Sequence, residues 1–523
     1  MSGPAAAGAG GTELPAESAS LVDWIAVLAG ALGAFMATLD TSITNTALPQ
    51  IQGEVGASGT EGTWIGTGYL VAEVIMIPLT AWLTRMLGLR QLLIITTSAF
   101  VLFSMLCGVS HSLAEMIIGR VGQGFFGGAL IPTAQVIIRT RLPLRQMPVG
   151  MSIFGIIVVL GPVLGPVIGG YLAEEVSWRW CFFLNLPVGI ALVTLLSLGL
   201  PAQKPDLNQL AKADWLGIVG MAVAFGCLTV VLEEGQRERW FESSEIVYLC
   251  LASLSGFAAL FIAQMTSAKP VINLTLLRNR TFASTTLITL VIGAGVYGTT
   301  YVVPQFLSGI SGYNPRQAGN IMALSALPLI LLMPILPRIV GRLDARLMTA
   351  LGLAFFAASC FVDIHLSPDS AGGDFTLSQI MRGVGQILAV MPLNQLAMAA
   401  IGRENAADGA GIYSMARNLG GSIGLALSGL FIDVRTAVHS DTIRESVTAN
   451  SLLGQARLAA DGLAQGIDAA TARLRAISQL SQVIEKQALV MTYNDCFWML
   501  GILLITIMPI VLLLRQPAPA NAR

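Results

Sequence analysis

Charge is what this sequence lacks. Of its 523 residues only 11% are Asp, Glu, Lys or Arg, against about 25% in an ordinary soluble chain, so polar side chains are too few to cover soluble globules. With 54% hydrophobic residues, most of the surface must face a lipid bilayer. The balance of 29 basic and 30 acidic residues, a net charge of −1, argues against a nucleic-acid partner. Histidine is scarce and badly placed for proton work in an apolar interior. His111, His365 and His439 all fall in connections, so any proton coupling must use carboxylates. Cys107, Cys181, Cys227, Cys250, Cys360 and Cys496 stand singly, with no CxxC and no Cys/His grouping at metal spacing; they read as small apolar fillers, and no metal site is expected. There is no GxxxxGK[ST] loop and no soluble stretch long enough for an ATPase domain, so no nucleotide is implied. The opening MSGPAAAGAGGTELPAESAS lacks the basic and apolar regions of a signal peptide and reads as a disordered tail.

What is abundant is long apolar runs. Fourteen of about 18 residues or more can cross a core of about 30 Å as helices: 24–48, 63–84, 92–109, 113–138, 149–172, 181–200, 215–232, 246–263, 282–310, 318–336, 347–364, 375–401, 410–431 and 497–514. An even count puts both termini on one side. Sixteen Lys/Arg lie in the connections on that side, from Arg85 and Arg90 to Arg515 and Arg523, against four (Arg179, Arg237, Arg239, Arg316) in the short connections opposite. Basic residues concentrate in cytoplasmic connections, so both termini are expected in the cytoplasm.

A short internal repeat divides the chain. Gln123-Gly124 precedes Ile131-Pro132 in the fourth span and Arg382-Gly383 precedes Met391-Pro392 in the twelfth. Basic turns follow the second span (Arg85, Arg90) and the tenth (Arg338, Arg342, Arg346). The expected organisation is an all-α polytopic protein: tail 1–23, a six-helix bundle 24–200, two inserted helices 201–265, a second six-helix bundle 266–514, and tail 515–523. Two such halves are a common build of secondary transporters. Within the second half, 434–494 is too polar to span and reads as an amphipathic outer loop, either a simple cap or a docking surface.

Ionisable groups inside spans cost about 2.5–3.5 kcal/mol or more at mid-membrane, so each is a functional candidate. By helical rise, Asp40 lies about 12 Å and Arg120 about 9 Å from the outer ends of their spans. They share a depth and can pair, either for proton coupling or as an ion bridge that fixes packing. Glu73 lies about 15 Å from the outer end of the second span, where leaving water penalises the ionised form, as a proton carrier requires; the alternative is a hydrogen bond to a neighbouring helix. Asp363 reads as interfacial. In the fifth span Gly161, Gly165, Gly169 and Gly170 strip one helix face while Pro162 and Pro166 each remove a backbone donor, which predicts a kink and a close inter-domain contact. Tyr297, Tyr301 and Gln305 form one polar-tipped stripe at i, i+4 and i+8, cavity lining or interfacial belt. Asn394 with Gln395, and Tyr413, Arg417 and Asn418, add polar groups in the second half. An apolar cavity with few polar groups suits amphiphilic or aromatic small molecules.

The segments LDTSITNTALP (39–49), RVGQGFFGGALIP (120–132), GPVLGPVIGG (161–170), WRWCFFLNLPVG (178–189), KPVINLTLLRNRTF (269–282) and ARNLGGSIG (416–424) together resemble the major facilitator superfamily, specifically its fourteen-helix drug:proton antiporters of the EmrB type. The resemblance implies two six-helix bundles plus two extra helices, and proton-driven multidrug efflux rather than an enzyme activity. It implies that Asp40 and Arg120 take part in proton coupling, that Gly161, Gly165 and Gly169 contribute to the rocking interface, and that the proton is the coupling ion with no cofactor. An EmrA-like periplasmic adaptor and a TolC-like outer-membrane channel are the implied partners. The gating turn keeps Gly88 and Arg90, but Arg85 stands where the superfamily pattern has an aspartate, which leaves the relay assigned to that position without its carboxylate. Glu73 belongs to none of these motifs. Export of an endogenous amphiphile (fatty acid or siderophore) uses the same machinery and stays open, as does a non-transporting membrane sensor or scaffold.

Overall fold

A computed structural model describes residues 18–514 except 59–60, 144, 268–269, 333–334, 336–342 and 447–468. Arg338 and Arg342, the tail residues before 18, and Arg515 and Arg523 therefore lie outside the described residues. Secondary structure is helical throughout the described residues: α1 (Leu21–Val55), α2 (Trp64–Leu87), α3 (Leu89–Val109), α4 (Leu113–Arg141), α5 (Met147–Tyr171), α6 (Arg179–Gly199), α7 (Trp215–Glu234), α8 (Ser244–Thr266), α9 (Arg280–Gly309), α10 (Arg316–Leu332), α11 (Ala345–Val362), α12 (Thr376–Ala399), α13 (Ala406–Ser446) and α14 (Ile477–Leu513). Twelve of these regions are long and apolar enough to cross a membrane. The other two expected spans are present as helices that fall short of that measure. α10 runs to the edge of its described stretch, and α12 carries Gln379, Arg382, Gln386, Asn394 and Gln395 along its length.

Polar caps sit where the apolar runs begin. Ser20 caps α1 reciprocally with Asp23, Asp214 caps α7, Asn279 caps α9, and Asn314 with Gln317 closes the first turn after Asn314, each side chain taking up a backbone donor that the first turn leaves free. Helix α1 thus starts three residues before the expected span and includes the end of the expected tail. Between α2 and α3 the chain turns at Gly88 with φ +79°, a backbone angle that disfavours any side chain.

The first six helices pack together, α1 against α5, α6 and α4, and α2 and α3 against α4. Helices α9 and α11 to α14 form a second set, α9 on α13 and α14 and α11 on α12. α7 and α8 form a hairpin, with α7 lying on α2 of the first set and α13 of the second. Both ends of the described chain are on one face, since the Ala19 amide donates to Gln146, Arg139 donates to the Ile401 carbonyl, Asn279 donates to the Ala400 carbonyl, and Leu514 packs in one apolar cluster near Ala345. Large apolar side chains such as Leu102, Ile118, Leu198, Leu254, Phe261 and Leu331 point outward, the surface a bilayer rather than water would cover.

The face opposite the termini gives detail to one expectation and changes another. The amphipathic connection 434–494 is helical across its described residues. Helix α13 continues to Ser446 and the helix ending in α14 begins at Ala469, because polar composition ends a membrane span without ending a helix. Asp495 ties the two extensions together, 2.5 Å from Arg435 and 2.8 Å from His439, while Thr436 donates to Thr492.

Helix α5 also runs unbroken from Met147 to Tyr171 through Pro162 and Pro166. A Cβ on Gly161 would meet Thr38, one on Gly165 would overlap Ser42, and one on Gly169 would press on Ile43. The glycine face therefore packs on α1 within the same half, not across the halves. Four residues before Pro166, the Pro162 carbonyl has no amide to accept from, and the Ser42 hydroxyl donates to it at 3.2 Å. Inter-half contacts on this helix include Ser152, whose hydroxyl donates to Met391 of α12 at 3.7 Å, and Pro166, which a Cβ on Gly319 of α10 would press against.

Candidate functional site

Asp40 and Arg120 meet inside the first half. Their side chains are 0% and 1% exposed and lie 2.6 Å apart, Arg120 Nη1 on Asp40 Oδ2. Two amides complete the carboxylate's shell: Gln123 Nε2 donates at 3.0 Å and Asn185 Nδ2 at 2.6 Å, both to Oδ1. Arg120 Nε donates to the Ile65 carbonyl at 3.2 Å, and its guanidinium lies 4.3 Å from the Tyr69 ring centroid. Four helices, α1, α2, α4 and α6, thus converge on one charge pair. A carboxylate and a guanidinium withdrawn this far from water persist only because nearly every polar atom is bonded. Asn185 passes the network on to Ser104, which donates to the Phe182 carbonyl.

Glu73 sits elsewhere, at the seam between the halves. Glu73 is 7% exposed and lies beside Asn418 and within electrostatic reach of Arg417, both on α13 of the other half. Tyr297 lies within electrostatic reach of Glu73, Arg417 and Glu233. Its ring is 40% exposed although it stands mid-helix, so it borders open space. Gln305 on the same stripe is exposed and Tyr301 half-buried, while the flanking Gly298, Val302 and Val303 are buried. Asn394 faces the first half instead, accepting from Gln135 of α4 at 3.1 Å. Tyr413 is 2% exposed within the apolar core. A cleft of about 470 Å³ opens on the other seam, between Pro166, Gly170 and Glu174 on one side and Arg316 and Asn320 on the other.

On the termini face the gating turn does have a carboxylate, supplied by the other half. Arg85 Nη1 donates to both oxygens of Asp408, at 2.9 and 2.8 Å. Arg90 makes no hydrogen bond or ion pair among the described residues. Asp363, at the end of α11, is 1% exposed and 3.2 Å from Arg382 of α12. Arg120 and Arg382, on the fourth helix of the first half and the twelfth helix of the chain, are thus each a buried arginine held by an aspartate of its own half. Sequence reasoning missed Gln123, Asn185, Asp408, Glu233 and the pairing role of Arg382. Gln123 and Arg382 had a signal, their matching places in the repeat.

A helical bundle in two halves, with a charge pair sealed in one half and a carboxyl at the seam, is the architecture of a secondary membrane transporter. The sequence model of the Major Facilitator Superfamily matches residues 30–425, and the chain belongs to that superfamily. Within it the chain is of the EmrB type. It is 32% identical to the colistin resistance protein EmrB of Acinetobacter baumannii, over 92% of this chain and 94% of that one. It is 29% identical to the multidrug export protein EmrB of Escherichia coli, over 97% and 98%. The human organic anion transporter MFSD10 (TETRAN) shares the fold, with a TM-score of 0.61 at 13% identity over 92% of this chain and 99% of that chain.

Proposed function

We propose that this protein is a proton-driven exporter of hydrophobic or amphiphilic toxic compounds, a secondary active transporter and not an enzyme. It sits in a bacterial inner membrane with both termini in the cytoplasm, as the excess of basic residues on the termini face supports. An EmrA-like adaptor and a TolC-like channel are its proposed partners, and the polar helical part of α13 after residue 434 is the surface proposed for the first of them.

The observation that carries this reading is the position of Glu73. Glu73 stands on α2 at the seam, with Asn418 and Arg417 of the opposite half in reach of its carboxylate. A proton added to one Glu73 oxygen removes the charge that attracts Arg417, and the halves lose one of their central ties. Release of that proton on the other side restores it. Asp40 and Arg120 serve the same cycle from inside the first half, holding α1, α2, α4 and α6 in one arrangement while the carboxylate is charged. A membrane potential of 100 mV supplies about 2.3 kcal/mol per proton and one pH unit about 1.4 kcal/mol, enough for moderate cargo gradients without nucleotide.

Dye efflux in a pump-deficient cell tests the reading: energised efflux should collapse with an uncoupler, and efflux indifferent to the proton gradient would leave a scaffold or sensor. In everted vesicles Glu73→Gln should lower proton-driven transport about ten-fold or more while cargo binding is retained. Unchanged pH dependence and unchanged affinity in that variant would remove Glu73 from the mechanism.

A further inference from the structure

The inserted hairpin carries two adjacent carboxylates whose bonds run to different halves. Glu234 faces the first half: Thr67 donates to it at 2.6 Å, Thr63 at 3.2 Å, and Arg237 pairs with it at 3.0 Å. Glu233 faces the second half, accepting from Ser422 of α13 at 2.8 Å. One turn on, Gln236 donates to Asp433 of α13 at 3.1 Å. Helix α7 thus straps the seam between α2 and α13 on the face away from the termini.

The two carboxylates are not equivalent. Glu234 is 3% exposed, and its charge is balanced by Arg237. Glu233 is only half-buried and has no cation within ion-pair distance among the described residues. Beside it lies Tyr297, 40% exposed, with Glu73 and Arg417 in reach of the same ring. By helical rise Arg417 lies about 8 Å deeper than Ser422, and Glu73 about 9 Å deeper than Thr67. Glu73 is 7% exposed with Arg417 in electrostatic reach, so the charge of the seam left unbalanced is that of the half-buried Glu233, with the Tyr297 ring in reach of it. A single positive charge on an apolar body would complete that balance, since a cation over an aromatic ring beside a carboxylate is favoured where water is excluded.

We propose that Glu233 is a specificity-determining residue of this transporter: a lipophilic monocation lies on Tyr297 and takes the Glu233 carboxylate from Ser422, releasing α7 from the second half. The proposal rests on the amphiphile-export reading and adds to it the charge of the cargo and a working role for the inserted helix. No bond to the cargo is made or broken. One hydrogen bond, Ser422 to Glu233, is exchanged for an ion pair.

Equilibrium binding to the purified full-length protein tests this, with tetraphenylphosphonium as the cationic probe and triphenylphosphine oxide as an uncharged one. Glu233→Gln should weaken tetraphenylphosphonium about ten-fold, the loss of a charge-assisted contact, and leave the uncharged probe nearly unchanged. Glu233→Asp should retain the preference for the cation. Glu234→Gln should leave the ratio of the two affinities alone, and Ser422→Ala, which removes the competitor without touching a charge, should tighten the cation. A Glu233→Gln protein with the wild-type ratio, or Glu234→Gln shifting the ratio equally, overturns the proposal. If Glu233→Gln does not fold, Ser422→Ala decides: weaker or unchanged cation binding there overturns it. Wild-type protein that exports dye but shows no preference for the cation sinks this inference alone, whereas wild-type protein that neither exports nor binds either probe sinks the export reading with it.

Discussion

Arg120→Ala is expected to destabilise the protein by about 3–5 kcal/mol, the cost of leaving a buried carboxylate without its counter-charge. Arg120 is 0% exposed and serves four partners at once: the Asp40 carboxylate, the Gln123 side-chain carbonyl, the Ile65 carbonyl and the Tyr69 ring. Asp40 would keep only the amides of Gln123 and Asn185, which donate hydrogen bonds but carry no charge. Adding Asp40→Asn should recover most of the loss, because the charge that needed a partner is gone and an amide can still bond Gln123 and Asn185. Thermal unfolding in detergent measures both steps. Transport separates the two readings of the pair. A double variant that folds like wild type and still exports against a proton gradient would make the pair a packing bridge and nothing more. One that folds but no longer couples assigns it to the proton cycle.

The contrast between this pair and its surroundings shows what the sequence could reveal. Asp40 and Arg120 were legible because charges are rare in apolar runs and these two fall at one depth. Asn185 and the role of Gln123, both bonded to the same carboxylate, were not, since a buried amide costs less than a charge and its residue type alone does not single it out. The helices were legible for the same physical reason, each being an apolar run bounded by caps or basic turns. α12 was the hardest to measure as a span because Arg382, Asn394 and the glutamines serve partners inside the bundle. Periodicity identified the bare face formed by Gly161, Gly165 and Gly169 but could not say which neighbour would fill it, and α1 does, with Thr38, Ser42 and Ile43. Beyond residue 434 the polar composition marked the end of an apolar span, and the helices on either side run on past it.

Contacts between distant segments were the least legible, and the Arg85–Asp408 pair gives the second large expected effect. It is the only ion pair between the two halves among the described residues. The neighbouring ties, Gln135 to Asn394 and Arg139 to the Ile401 carbonyl, lack a carboxylate. Asp408 is 8% exposed but Arg85 is 42% exposed, so solvent screening limits what the bond contributes. Reversing one charge does more than delete the bond, because it sets two carboxylates against each other at the same contact. Arg85→Glu should shift the closed arrangement of the termini face by about 2 kcal/mol, about a 30-fold change in the population open on that side. Hydrogen exchange over 136–142 and 398–405 should then quicken and transport fall. Combining Arg85→Glu with Asp408→Arg should restore both, since the pair reforms with its partners exchanged. Unchanged exchange in the single reversal would mean that the uncharged ties hold this face by themselves. Recovery in the double variant would show that the bond between the halves matters, not the sign carried at position 85. That would explain how this chain dispenses with an aspartate there: the carboxylate has moved to the other side of the same contact.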